Sequence, residues 1–177
     1  MTRRQLVALV GLPLRAQLLK KTPLPPGVAA KLRPPPQYSF NALPIQPRTG
    51  NDKSQLDAIG KHRAFPSAAL GKGRWDRVPD GNTIWRLSIK SPNATGIRIH
   101  FEKFDVGGAT VWVHSGLGSN IRVSGPYAAK GPEGTGSFWS DTLAADQVTI
   151  EYAPIVKNTS NGPLPFVIHE ITHLFDL

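Results

Sequence analysis

The sequence predicts an all-β protein, an antiparallel, jelly-roll-like β-sandwich preceded by a proline-rich, largely disordered N-terminal segment. Three observations carry this reading. Apolar and polar residues alternate with a period of two in several short runs beyond residue 63. Turn residues separate those runs at roughly eight- to twelve-residue intervals, the pattern of sandwiches and barrels. Glycine and proline number 17 each, and no sustained helical period follows residue 64.

Taken in order, residues 1–63 read as a basic leader and linker, and residues 64–177 as the β-sandwich domain. The leader holds nine of the prolines and none of the four tryptophans. The runs at 21–27 (Lys-Thr-Pro-Leu-Pro-Pro-Gly) and 32–36 (Leu-Arg-Pro-Pro-Pro) read as extended, polyproline-like chain that cannot run as helix or central strand. Arg3 and Arg4 ahead of the apolar stretch Leu6–Leu14 have the order of a secretory signal peptide. Export, to a secreted or periplasmic location, stands beside the alternative of a short amphipathic or disordered leader. The stretch is too short to span a membrane.

In the second part, Trp85, Leu87 and Ile89 alternate with Arg86, Ser88 and Lys90 as a half-buried strand, broken at Ser91-Pro92-Asn93. Ile97, Ile99 and Phe101 form a second strand, and Gly107-Gly108 turns the chain into a third over Ala109–His114. Ile121 and Val123 mark a short fourth, and Phe138-Trp139 a brief one. Val148, Ile150 and Tyr152 mark another, and the chain from Phe166 onward is a final β-rich segment.

Charge and composition narrow the function. The net charge is +9, and residues 1–63 carry all of it, with eleven Lys and Arg against two acids. The rest balances to zero, so the excess does not sit on a structured face as nucleic-acid binding requires. Nucleic acid is therefore not an expected partner. The absence of cysteine excludes disulfides, thiolate catalysis and cysteine-bound zinc.

His169-Glu170-Ile171-Thr172-His173 spells the HExxH of zinc peptidases. That chemistry needs a helix, in which histidines four apart meet one zinc and the glutamate activates its water. Here Pro163, Pro165 and Phe166-Val167-Ile168 favour a strand. In a regular strand His169, Ile171 and His173 share one face while Ile168, Glu170 and Thr172 share the other. The preferred reading is two partly exposed histidines on an edge or final strand, with no metal and no cofactor. A truncated zinc peptidase using His169, Glu170 and His173 is the alternative. Asp76 and Asp80 near Gly81 read as a turn, not a calcium site. Trp112, Tyr127 and Trp139 are candidate platforms for stacking a sugar, set against core packing of the same rings. Asn93-Ala94-Thr95 and Asn158-Thr159-Ser160 fit the glycosylation pattern.

Dispersed motifs between about residues 58 and 175 carry a family resemblance. They are Gly73-Arg74-Trp75, Asp80-Gly81, Ile84 to Ile89, Ser91-Pro92, Gly96 to Phe101, Val111-Trp112-Val113, Gly125-Pro126-Tyr127, Phe138-Trp139-Ser140 and Phe166 to Leu174. Together they resemble the domain ahead of the catalytic domain in secreted bacterial trypsin-like serine peptidases, the lysyl-endopeptidase-like enzymes. The resemblance implies a non-catalytic β-sandwich whose partner is an adjoining or separate peptidase domain with its own triad and disulfides. It carries no catalytic residue onto this chain. A carbohydrate-binding β-sandwich, holding a polysaccharide or protein surface, is the other non-enzymatic reading. Trp85 follows the core phase, so Trp85→Ala is expected to cost about 3–5 kcal/mol in denaturant unfolding. A change within about 0.5 kcal/mol, as at a surface site, would put the strand out of phase.

Overall fold

A computed structural model of the chain describes residues 23–44, 59–116, 118–155 and 162–175. The signal-peptide-like stretch and Asn158 lie outside these residues. Within them the chain forms α1 (Pro26–Ala29), β1 (Gln37–Ser39), β2 (Gly60–Ala64), β3 (Arg74–Arg77), β4 (Thr83–Lys90) and β5 (Gly96–Glu102). It continues through β6 (Thr110–Ser115), β7 (Arg122–Tyr127), β8 (Phe138–Trp139), β9 (Gln147–Ala153) and β10 (Val167–Leu174), with two short 3-10 turns at Ser67–Lys72 and Gly118–Asn120.

Two sheets result. The larger runs β1-β4-β9-β6-β7, with β3 also on β4, and the smaller runs β2-β10-β5-β8. β4 is long enough to take two partners end to end along one edge. Arg74–Arg77 pair with its first half, and Gln37–Ser39 with its second. The turn between β3 and β4 holds Gly81 at φ 86°, and the Asp80 carboxylate accepts from the Asn82 backbone N–H at 2.9 Å.

The core lies between the inner faces. Leu87, Ile89, Val111, Val113, Val148 and Ile150 from the larger sheet meet Ile97, Ile99, Phe101, Phe138, Ile168 and Ile171 from the smaller, and all are buried. Trp85 is 3% exposed and packs edge-on against Phe166. All-β architecture, sandwich layering and strand phase from Trp85 to Phe101 therefore follow the sequence expectation.

The outer face of the larger sheet does not. Arg86, Ser88, Trp112, His114 and Glu151 lie on it and are buried, so β4 is covered on both faces and is not half-exposed. Over Arg86 and Glu151 the cover comes from the proline-rich segment. Pro26 occupies the first turn of α1, where its missing N–H costs no bond, so this stretch is a helical turn and not extended linker. β1 pairs with β4 in parallel, the one parallel pair among the named strands. Phe40 joins the core and packs with Tyr38 and Phe65.

This docking is specific. The backbone N–H of Gly27 donates to Glu151 Oε2 at 2.7 Å, and the Glu151 side chain has no solvent exposure. Its other oxygen lies 3.2 Å from His114 Nε2 and 4.0 Å from Arg86 Nη1. Arg86 donates to the Arg33 carbonyl at 2.7 Å and grips Asp76 at 2.5 Å. Burial alone would raise the Asp76 pKa, but hydrogen bonds and charge from Arg74 and Arg86 outweigh it and hold the carboxyl below its ordinary value. A Cβ at Gly27 would run into the Glu151 carboxylate and come within 3.0 Å of Arg86 Cδ. Gly27→Ala is expected to destabilise by about 1–3 kcal/mol in denaturant unfolding through overpacking. The exposed neighbour Ala29 changed to Ser should cost far less; equal effects at the two positions would mean that α1 does not dock on Glu151.

Candidate functional site

The outer face of the smaller sheet gathers a cluster of chemistry-bearing side chains. Cross-strand register brings Glu170 opposite His100 on β5 and Ala64 on β2, and Thr172 opposite Arg98 and His62. His100 in turn lies opposite Trp139 on β8. His62, Arg98, His100, Trp139, Glu170 and Thr172 thus share one face.

A β-bulge adds His169 to that face. Ile168 pairs with Phe101 and Glu170 with His100, leaving His169 as the extra residue. Ile168 and Ile171 both enter the core, so the two residues between them both turn outward. This corrects the face assignment expected from strict alternation. His169 leaves the side of His173 and joins Glu170, while Ile168 takes the core side. His173 remains inward with Ile171 and is 1% exposed.

The HExxH spelling consequently assembles no peptidase centre. It lies in a strand, and its two histidines sit on opposite faces. His173 Nδ1 is 2.7 Å from Ser91 Oγ, which also accepts from Arg63 Nη1 at 2.9 Å. Both contacts are satisfied when the Ser91 hydroxyl donates to a neutral His173. Burial, then the positive charge of Arg63, lowers the pKa of His173.

The outward cluster is different in kind. One ligand-type atom from each of His100, His169 and Glu170 lies within 4.8 Å of the others. His100 stacks on Trp139 with centroids 4.6 Å apart and planes at 13°. Its Nε2 is 3.2 Å from Ser137 Oγ. His62 tilts against the same indole, and the Arg98 guanidinium carbon sits 5.3 Å from the ring centre.

The three aromatic candidates do not come together as an exposed platform. Trp112 is 5% exposed on the covered face of the larger sheet. Tyr127 is 8% exposed and packs on Phe138. Its hydroxyl lies 2.5 Å from Ser124 Oγ, which donates to Asp141 Oδ2 at 2.9 Å. Burial keeps the phenol protonated by raising its pKa. Tyr127 thus belongs to the core, whereas Trp112 is buried outside it. Trp139 is half-buried and borders an open groove of about 610 Å³, shared with Arg98, Tyr127, Pro132, Glu133 and Asp141. Sequence reasoning missed His62 and His100 because each is a lone histidine, distant in the chain from the motif it meets.

The comparisons with known proteins bear on this arrangement. Residues 31–175 match the family described as the lysyl endopeptidase N-terminal domain. The chain belongs to that family. No curated protein and no solved structure matches it. The family match begins at Lys31, well ahead of residue 64, and so takes in the β1 segment that packs on β4. No helix among the described residues is long and apolar enough to cross a membrane.

In this lysyl endopeptidase N-terminal domain, His173 gives a pH signature. Its lowered pKa means that the unfolded chain binds the proton more readily than the folded one. The stability it contributes is full above the ordinary histidine pKa of about 6.5. It is lost progressively as pH falls below that value toward the folded pKa. Unfolding free energy should thus decline below about pH 6.5, and the decline should flatten in His173→Gln. An unchanged slope in that variant would place the titrating group elsewhere.

Proposed function

We propose that this domain is a non-catalytic accessory module of a secreted trypsin-like serine peptidase, positioning or helping to fold an adjoining peptidase domain. The observation that carries the reading is the family match over residues 31–175. The packing of the motif residues supports it. The only catalytic-looking spelling is divided between a core face and an outer face, and its second histidine is spent on a buried contact with Ser91. Trp85, Trp112 and Tyr127 serve the core and its cover. What the fold offers to a partner is a pair of well-packed sheets with a polar, histidine-rich outer face.

The peptidase domain is the expected partner, and it would meet this module in the secretory route or outside the cell. The test joins this chain upstream of a lysyl-endopeptidase-type catalytic domain and refolds it beside the catalytic domain alone. The fusion is expected to give several-fold more active enzyme on a lysyl-peptide substrate, and the separate module no turnover. Turnover by the module alone, or equal yields with and without it, would reject the accessory role.

A further inference from the structure

We propose that His100, His169 and Glu170 form a binding site for a divalent transition metal of the zinc class, with His62 positioned to close it. The site is distinct from the HExxH centre, since His173 has no part in it.

Four observations converge. The donor set is two imidazoles and a carboxylate, with a third imidazole beside them, which suits zinc, cobalt, nickel or copper and not the all-oxygen cages of calcium or magnesium. The spacing is close to that of a loaded site. His100 Nδ1 lies 3.9 Å from Glu170 Oε1, and His62 Nδ1 lies 3.6 Å from the same oxygen. Bonds of about 2.0–2.1 Å in a tetrahedron put ligand atoms roughly 3.3 Å apart, so rotamer-scale adjustment is enough.

The third observation is His100 itself. Its Nε2 is engaged by Ser137 Oγ, while Nδ1 is buried without a hydrogen-bond partner among the described residues. A metal-binding imidazole has that arrangement, one nitrogen held by an outer partner and the other left for the ion. An orphaned buried nitrogen is otherwise a cost to the fold. Stacking on Trp139 fixes the ring plane, so little freedom remains to be lost on binding.

The fourth is the bulge. It turns His169 and Glu170 to one side, which regular pairing forbids, and a bulge that re-aims two ligand-type side chains is a recurrent device beside functional sites. The groups facing the cluster are Glu102, 3.6 Å from His169 Nδ1, Thr172, 3.3 Å from His62 Nδ1, and Arg98 over Trp139. An ion there would tie β2, β5 and β10 together, a cross-link in a chain that has no cysteine to make one.

The test uses the full chain without a histidine tag. Zinc is titrated against a chromophoric chelator, and cobalt(II) absorption reads the coordination geometry. One equivalent is expected, with a tetrahedral cobalt spectrum and a metal-dependent rise in melting temperature. His100→Ala and His169→Ala should each weaken binding by at least about tenfold, whereas His173→Ala should bind like the parent. His169 is exposed, so its variant should keep the parent's circular dichroism even if the His100 variant unfolds. No uptake at millimolar zinc, or binding that survives His169→Ala in the folded protein, would overturn the proposal. So would binding lost in a folded His173→Ala variant, which would return the metal to the HExxH spelling.

Discussion

Glu151 stands in the middle of the larger sheet with no solvent exposure, and a carboxylate in that position must be paired within the fold. Leaving such a charge without its partner costs about 3–5 kcal/mol. The partners come from three places. Arg86 and His114 are cross-strand neighbours on β4 and β6, and the Gly27 N–H belongs to the proline-rich segment. Arg86 extends the network to Asp76 on β3 and to the Arg33 carbonyl. One buried acid thus accounts for the docking of α1, the close approach at Gly27 and the burial of both faces of β4. The N-terminal segment is bound by polar groups that would otherwise be unsatisfied, and Phe40 adds apolar anchorage in the core.

The smaller sheet follows a different constraint. Its inner face must supply Ile168 and Ile171 to the core, three positions apart, which a regular strand cannot do. The bulge at His169 resolves this, and its consequence falls on the opposite surface, where two successive polar residues emerge side by side. Outward chemistry is here a by-product of inward packing. The same event removes the peptidase reading, because it parts His169 from His173.

These two constraints assign most of the buried polar and aromatic groups to packing. The buried polar groups of the larger sheet serve to hold a covering segment in place, and the aromatic rings of the core are fully engaged with one another. The surface that remains rich in titratable groups lies over β2, β5 and β10, on strands whose positions the core has already fixed. Side chains held on such fixed strands suit the ion site proposed above.

The sequence by itself determined the class and phase of the sandwich. Period-two alternation from Trp85 to Phe101 and from Val148 to Tyr152 specifies which residues enter the core, because burial on one face admits a single register. It also carried the family resemblance, since Gly73-Arg74-Trp75 and Gly125-Pro126-Tyr127 mark turns and strand ends that local chemistry controls. Tertiary structure alone decided the rest. That α1 would dock on the larger sheet depended on Glu151, 124 residues from Gly27, and no local pattern records that pairing. That His169 would face Glu170 depended on the spacing demanded by the opposing core. His62 and His100 joined the cluster only through strand pairing. Local pattern reports the face of a strand that meets the core, whereas bulges, covering segments and clusters on the outer face answer to partners distant in sequence.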